Sequence, residues 1–99
     1  MKAAIGLDHK QIEEFCRRNH IQKLSLFGSV LRDDFGSDSD VDVLVEFEPG
    51  FRIGIIGLAH LESELSVIVR REVDLRTPQE LSRYFRDKVL SDAEVQYAA

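Results

Sequence analysis

Two aspartates, Asp40 and Asp42, are separated by one valine and follow a Gly28-Ser29 pair after ten intervening residues. Glycine allows a phosphate to approach the backbone closely, and the N–H groups of a following turn, with a serine hydroxyl, form an anion site. Two carboxylates held close together repel each other unless a cation joins them. Magnesium is commonly bound by one or two carboxylates together with substrate phosphates. This spacing therefore predicts a phosphate-binding turn beside a metal site.

The aspartates open a segment that is typical of a β-strand. Successive side chains of a strand point to opposite faces, so Asp40 and Asp42 share a face, with Cα atoms roughly 7 Å apart. The apolar residues take the other face: Val41, Val43, Val45 and Phe47. A solvated strand end is the plain alternative, but aspartate is depleted in strands. A calcium loop beginning at Asp38 is disfavoured, because its sixth position is valine and its twelfth is proline.

A third carboxylate follows the same logic in residues 71–76. Val73 and Leu75 are predicted to be buried, so Asp74 takes the opposite face together with Glu72. If this strand lies beside the first acidic strand, Asp74 approaches Asp42. Three carboxylates can hold two metal ions roughly 4 Å apart, and one of the three can accept a proton as general base. Glu72 remains an alternative third ligand.

The surrounding periodicity predicts an α/β (α+β) fold, a small mixed sheet with helices packed on it. The predicted elements, in chain order, are a helix from Asp8 to about Asn19, strands Ile21–Phe27 and Val41–Phe47, a helix from about Ile53 to Arg70, a strand Glu72–Arg76, a helix starting at Pro78 and a short helix Asp92–Tyr97. In the Ile53–Arg70 helix the predicted buried stripe is Leu58, Leu61, Leu65 and Ile68, and the predicted water-facing residues are Glu62, Ser63, Ser66 and Arg70.

Composition narrows the class of protein. The chain has 99 residues, which suits one domain over residues 1–99, and 43% of them are hydrophobic. Its net charge of −5 argues against direct nucleic-acid binding, which would require a basic face. A single cysteine, Cys16, allows no internal disulfide, and no signal peptide or membrane span is visible. We expect a cytoplasmic protein.

The motif pieces resemble the nucleotidyltransferase superfamily with the polymerase-β-like palm, and most of all its minimal nucleotidyltransferase (MNT) domains. The matching pieces are Phe27-Gly28-Ser29, Arg32, Ser39-Asp40-Val41-Asp42-Val43-Leu44-Val45 and Val73-Asp74-Leu75. The resemblance spans about residues 24–97. It implies that Asp40, Asp42 and Asp74 bind magnesium and catalyse transfer. It also implies that the nucleotide triphosphate is held by Gly28 and Ser29, with Arg32 and Ser39 as further candidates.

The resemblance also implies a partner. MNT proteins of this length are commonly encoded beside a HEPN-domain ribonuclease toxin, and such antitoxins transfer AMP from ATP to a tyrosine of that toxin. Two alternatives stay open: a nucleotidyltransferase for a small molecule such as an aminoglycoside, and a non-catalytic antitoxin that neutralises its toxin by binding. One departure from the family is Asp33-Asp34 after Arg32, where many members carry glycine.

Overall fold

A computed structural model describes residues 7–28, 40–84 and 86–99. The helices are α1 (His9–Arg18), α2 (Ile55–Val69) and α3 (Arg86–Asp92), with a short 3₁₀ turn at Pro78–Glu80. The strands are β1 (Ile21–Phe27), β2 (Val41–Phe47), β3 (Val73–Arg76) and β4 (Glu94–Ala98). They form one mixed sheet in the order β3-β2-β1-β4. The predicted class, a small mixed sheet with helices packed on it, is confirmed.

The N-terminal helix begins where the sequence predicts. The carboxylate of Asp8 accepts hydrogen bonds from the backbone N–H groups of Lys10 and Gln11, at 3.1 and 3.3 Å, and so caps α1. Phe15 and Cys16 are fully buried. Burial raises the pKa of the Cys16 thiol to about 12, so the thiol stays protonated at neutral pH and serves as a core residue.

The strand pairing places β2 between two different neighbours. β1 runs antiparallel to β2, with Phe27 opposite Asp42. β3 runs parallel to β2, with Asp74 opposite Asp42. A parallel pair needs a crossover connection, and α2 supplies it.

The hydrophobic core lies on one face of the sheet, beneath α1 and α2. Its most buried side chains come from both helices and from three strands: Ile12, Phe15, Cys16, Ile21, Leu24, Leu26, Val41, Val43, Val45, Leu61, Leu65, Val73 and Leu75. Leu58 and Ile68 are partly buried against this cluster. The apolar stripe predicted for α2 is therefore confirmed, and the acidic residues of β2 and β3 take the opposite face.

The C-terminal part differs from the prediction. In place of one continuous helix from Pro78, the chain forms a 3₁₀ turn, becomes extended at Leu81 and resumes a helix only at Arg86. The short helix predicted at Asp92–Tyr97 is wrong, because Glu94–Ala98 forms β4, antiparallel to β1. The reason is that the backbone groups on this edge of β1 would otherwise lack hydrogen-bond partners, and β4 supplies them. In the part of the chain that the structure describes, no helix is long and apolar enough to cross a membrane.

Two residues of α2 test the packing of the core. Leu65 is fully buried, whereas Val67 is 77% exposed on the same helix. Leu65→Ala should lower the free energy of unfolding by about 2–5 kcal/mol, because it leaves a cavity under the sheet. Val67→Ala should change it by less than about 0.5 kcal/mol. Urea unfolding followed by circular dichroism measures both, and equal losses would contradict this description of the core.

Candidate active site

The structure brings Asp42 and Asp74 together. They are register partners on adjacent strands, so their Cα atoms lie about 4.8 Å apart, the ordinary spacing of neighbouring strands. Each is the second residue of its strand, and both are half-buried on the face opposite the core. Asp40 lies one residue before β2 and is exposed. The expected placement of β3 beside β2 is confirmed.

The register also separates the two candidates for the third carboxylate. Asp74 stands directly opposite Asp42, whereas Glu72 precedes β3 and is exposed. The backbone oxygen of Glu72 accepts a hydrogen bond from the N–H of Val41 at 2.8 Å, which places this residue beside the first residue of β2. Of the two acids, Asp74 is therefore the nearer neighbour of Asp42 along the strands.

Gly28 lies directly against Asp42. It follows the last residue of β1 and has a φ of +72°, a backbone conformation that residues other than glycine rarely adopt. A Cβ atom there would collide with Oδ2 of Asp42 and would lie only 3.1 Å from its Cγ. The sequence suggested glycine for the approach of a phosphate. The structure adds a nearer reason, because the Asp42 carboxylate already occupies the space that a side chain would fill.

Arg76 provides a cation at this site that the sequence analysis did not assign. Its Nε and Nη2 atoms both lie 3.2 Å from the Asp74 carboxylate, one on each oxygen. The side-chain hydrogen bond to Asp74 is the main reason that the pKa of Arg76 is raised above its usual value. The available signal was the two-residue spacing, which puts Asp74 and Arg76 on the same face of a strand.

The carboxylates of Asp42 and Asp74 are suitable ligands for a divalent cation. The donors are carboxylate oxygens, which suit hard cations, and the guanidinium on Asp74 shows that a positive group reaches that carboxylate. Among residues 7–28, 40–84 and 86–99, no group of three His, Cys, Asp or Glu side chains is assembled closely enough to hold a metal. A cation held by Asp42 and Asp74 would thus take further ligands from substrate phosphates, as magnesium usually does.

Ser29, Arg32 and Ser39, the other predicted nucleotide contacts, lie outside the described residues. A cleft of about 860 Å³ lies at the far end of β2, lined among others by Phe47 and Phe51. None of the predicted site residues within 7–28, 40–84 and 86–99 lines it.

Comparison of the sequence with known protein families shows which family the chain belongs to. The family model described as "Nucleotidyltransferase domain" matches residues 9–95. The chain belongs to the nucleotidyltransferase family. A relative from Methanocaldococcus jannaschii, named "Putative protein adenylyltransferase", is 32% identical over 76 residues, which cover 77% of this chain and 80% of the relative. The protein is therefore an enzyme of the nucleotidyltransferase class.

Solved structures show the same fold as this nucleotidyltransferase. One, described as a minimal nucleotidyltransferase, is 30% identical with a TM-score of 0.70, covering 86% of this chain and 85% of that one. Another is an MNT antitoxin in complex with a tri-AMPylated HEPN toxin from Shewanella oneidensis, with 22% identity and a TM-score of 0.66, covering 92% of this chain and 70% of that one. The second likeness shows a shared fold.

The contact between Gly28 and Asp42 can be tested against a second glycine of positive φ. Gly50 has a φ of +86° but nothing within 4 Å of an added Cβ. Gly50→Ala should lower the free energy of unfolding by about 1–2 kcal/mol, the strain of a side chain in this conformation. Gly28→Ala should lose about 1–3 kcal/mol more, because it also collides with Asp42.

Urea unfolding of the two variants and of the unsubstituted protein measures the difference. Equal losses would mean that the Asp42 carboxylate moves aside without resistance, which would remove Gly28 as a determinant of its position.

Proposed function

We propose that this nucleotidyltransferase is a magnesium-dependent protein adenylyltransferase that acts as an antitoxin in the cytoplasm. It transfers AMP from ATP to a tyrosine of a HEPN ribonuclease toxin and thereby neutralises that toxin. The observation that carries the proposal is the pairing of Asp42 with Asp74 beside Gly28. The acceptor is supported by relatives, one named as a protein adenylyltransferase and one solved with a tri-AMPylated HEPN toxin.

Asp42 and Asp74 would hold the metal, and we propose that Asp40 joins them when the cation binds. Asp42 and Asp74 lie on neighbouring strands, and Asp40 is exposed one residue before β2. We propose two magnesium ions at these carboxylates, following the expectation from the sequence. Magnesium, when bound, neutralises phosphate charge and lowers the pKa of the attacking hydroxyl.

The phosphates would lie over the turn after β1. We propose that the backbone at Gly28, which has a positive φ and no side chain, contacts the β- and γ-phosphates. Ser29 is proposed to share this role, with Arg32 and Ser39 as further contacts. The Asp42 carboxylate touches the same glycine, so a metal on Asp42 and a phosphate on Gly28 would be direct neighbours.

The transfer step makes one bond and breaks one. The tyrosine oxygen bonds to the α-phosphorus of ATP, the bond from that phosphorus to the bridging oxygen breaks, and pyrophosphate leaves with the electron pair. The hydroxyl proton passes to Asp74 as general base. Arg76 must then release part of its contact with Asp74, and Glu80 offers it another carboxylate, 3.7 Å from Nη1.

The proposal is tested by mixing the chain with ATP, Mg²⁺ and the product of the adjacent gene, which we expect to be the HEPN-domain toxin. Mass spectrometry should show a gain of one or more AMP units on a tyrosine of the partner. The transfer rate should fall by about 10²–10⁴-fold in Asp74→Asn, which removes the general base, and comparably in Asp42→Asn. Chelation with EDTA should abolish transfer and added Mg²⁺ should restore it.

Glu14→Gln is the matched control. It removes one carboxylate from the exposed side of α1, on the core face of the sheet, and should leave the rate unchanged. A tight complex with the partner and no gain in mass would favour neutralisation by binding alone. Adenylylation of an aminoglycoside, with none on the partner, would favour the small-molecule alternative.

A further inference from the structure

The outer edge of β3 is held by two polar side chains of α2. In the part of the chain that the structure describes, β3 pairs with β2 on one side only, so alternate N–H groups of this edge strand point away from the sheet. The N–H of Val73 donates to Oγ of Ser66 at 3.1 Å, and the N–H of Leu75 donates to Oε2 of Glu62 at 2.8 Å. These two bonds lie immediately before and after Asp74.

The spacing of the helix matches the spacing of the strand. Glu62 and Ser66 are four residues apart, which is about 6 Å along a helix, and Val73 and Leu75 are about 6.6 Å apart along a strand. The Ser66 hydroxyl donates its own hydrogen to the carbonyl oxygen of Glu62 at 2.8 Å. Its lone pairs are therefore left to accept from Val73.

The helix that carries these side chains is itself fixed to the sheet. Leu61 and Leu65, which precede Glu62 and Ser66 by one residue each, belong to the buried core. Glu62 and Ser66 were expected to face water, but both are partly buried at the junction with β3. Packing in the core therefore fixes the position of α2, and the hydrogen bonds from β3 to Glu62 and Ser66 fix β3 relative to α2.

We propose that Glu62 and Ser66 are positioning residues of the active site, which hold Asp74 opposite Asp42 by fixing the outer edge of β3. The inference rests on the proposed function in one respect, since it takes Asp74 to be a metal ligand. Substitution of residues that orient metal ligands without touching the metal usually lowers metal affinity or activity by about 10–100-fold.

The charge of Glu62 and its hydrogen bond can be separated. Glu62→Gln keeps an oxygen that can accept from Leu75 and removes the negative charge, whereas Glu62→Ala removes both. Ser66→Ala removes only a hydroxyl and is the milder of the two deletions. Ser63→Ala is the matched control, because Ser63 is exposed on the same helix.

The experiment measures the affinity of each full-length variant for Mn²⁺ alone by electron paramagnetic resonance, at a temperature where circular dichroism shows every variant folded. Glu62→Ala and Ser66→Ala should raise the Kd for Mn²⁺ about tenfold or more, and Glu62→Gln and Ser63→Ala should stay within about threefold. Amide hydrogen exchange should become faster at Val73 in Ser66→Ala and at Leu75 in Glu62→Ala.

Unchanged Mn²⁺ affinity in both alanine variants would overturn the inference. A loss in Glu62→Gln as large as in Glu62→Ala would also overturn it, because charge rather than the hydrogen bond would then be responsible. If the protein transfers no AMP to its partner but the Mn²⁺ affinities follow the expected order, the positioning role stands and the proposed transfer reaction fails.

Discussion

The parallel pairing of β2 with β3 is the constraint on which the candidate active site depends. Because both strands run in the same direction, their first residues lie at the same end of the sheet, and the second residue of each is an aspartate. No tight turn can join two such strands, so the chain must leave the sheet and return through α2. That helix closes the core with Leu61 and Leu65 and supports the outer edge of β3 through Glu62 and Ser66.

Asp42 has a register partner on each of its two neighbouring strands, β1 and β3. It faces Phe27 on one side and Asp74 on the other, and its carboxylate lies against Gly28. Two carboxylates on neighbouring strands repel each other, and the contact between Arg76 and Asp74 offsets part of this repulsion. Clusters of charged side chains of this kind are common at functional sites.

The parts of the fold that the sequence predicted well are those with strong local signals. Both bounds of β1 and of β2 agree with the prediction, and the Asp8 cap of α1 is formed. Glu94–Ala98 alternates polar and apolar residues, which favours a strand, but the segment has only five residues and begins just after a helix, so the pattern was misread. What decides for the strand is the edge of β1 that would otherwise be unpaired, whose residues lie 68 to 75 positions before their register partners in β4.

The error at Glu62 and Ser66 has a similar origin. A helical period separates polar from apolar side chains, but it does not reveal whether the polar side meets water or the backbone of an edge strand. The sequence pattern therefore predicts that both side chains face water, whereas in the structure both accept hydrogen bonds from backbone N–H groups of β3.

The sequence by itself determined where the candidate site lies in the chain: a glycine turn and, after the ten residues that follow Ser29, two aspartates at or just before the start of a strand, for which local alternation predicts a shared face. Tertiary structure decided which acid stands opposite Asp42, because Glu72 and Asp74 are equivalent in sequence pattern and only the register of β2 against β3 distinguishes them. It also decided that Arg76 contacts Asp74 and that the C-terminal residues complete the sheet. The physical reason is that strand register and edge pairing depend on contacts between segments far apart in the chain.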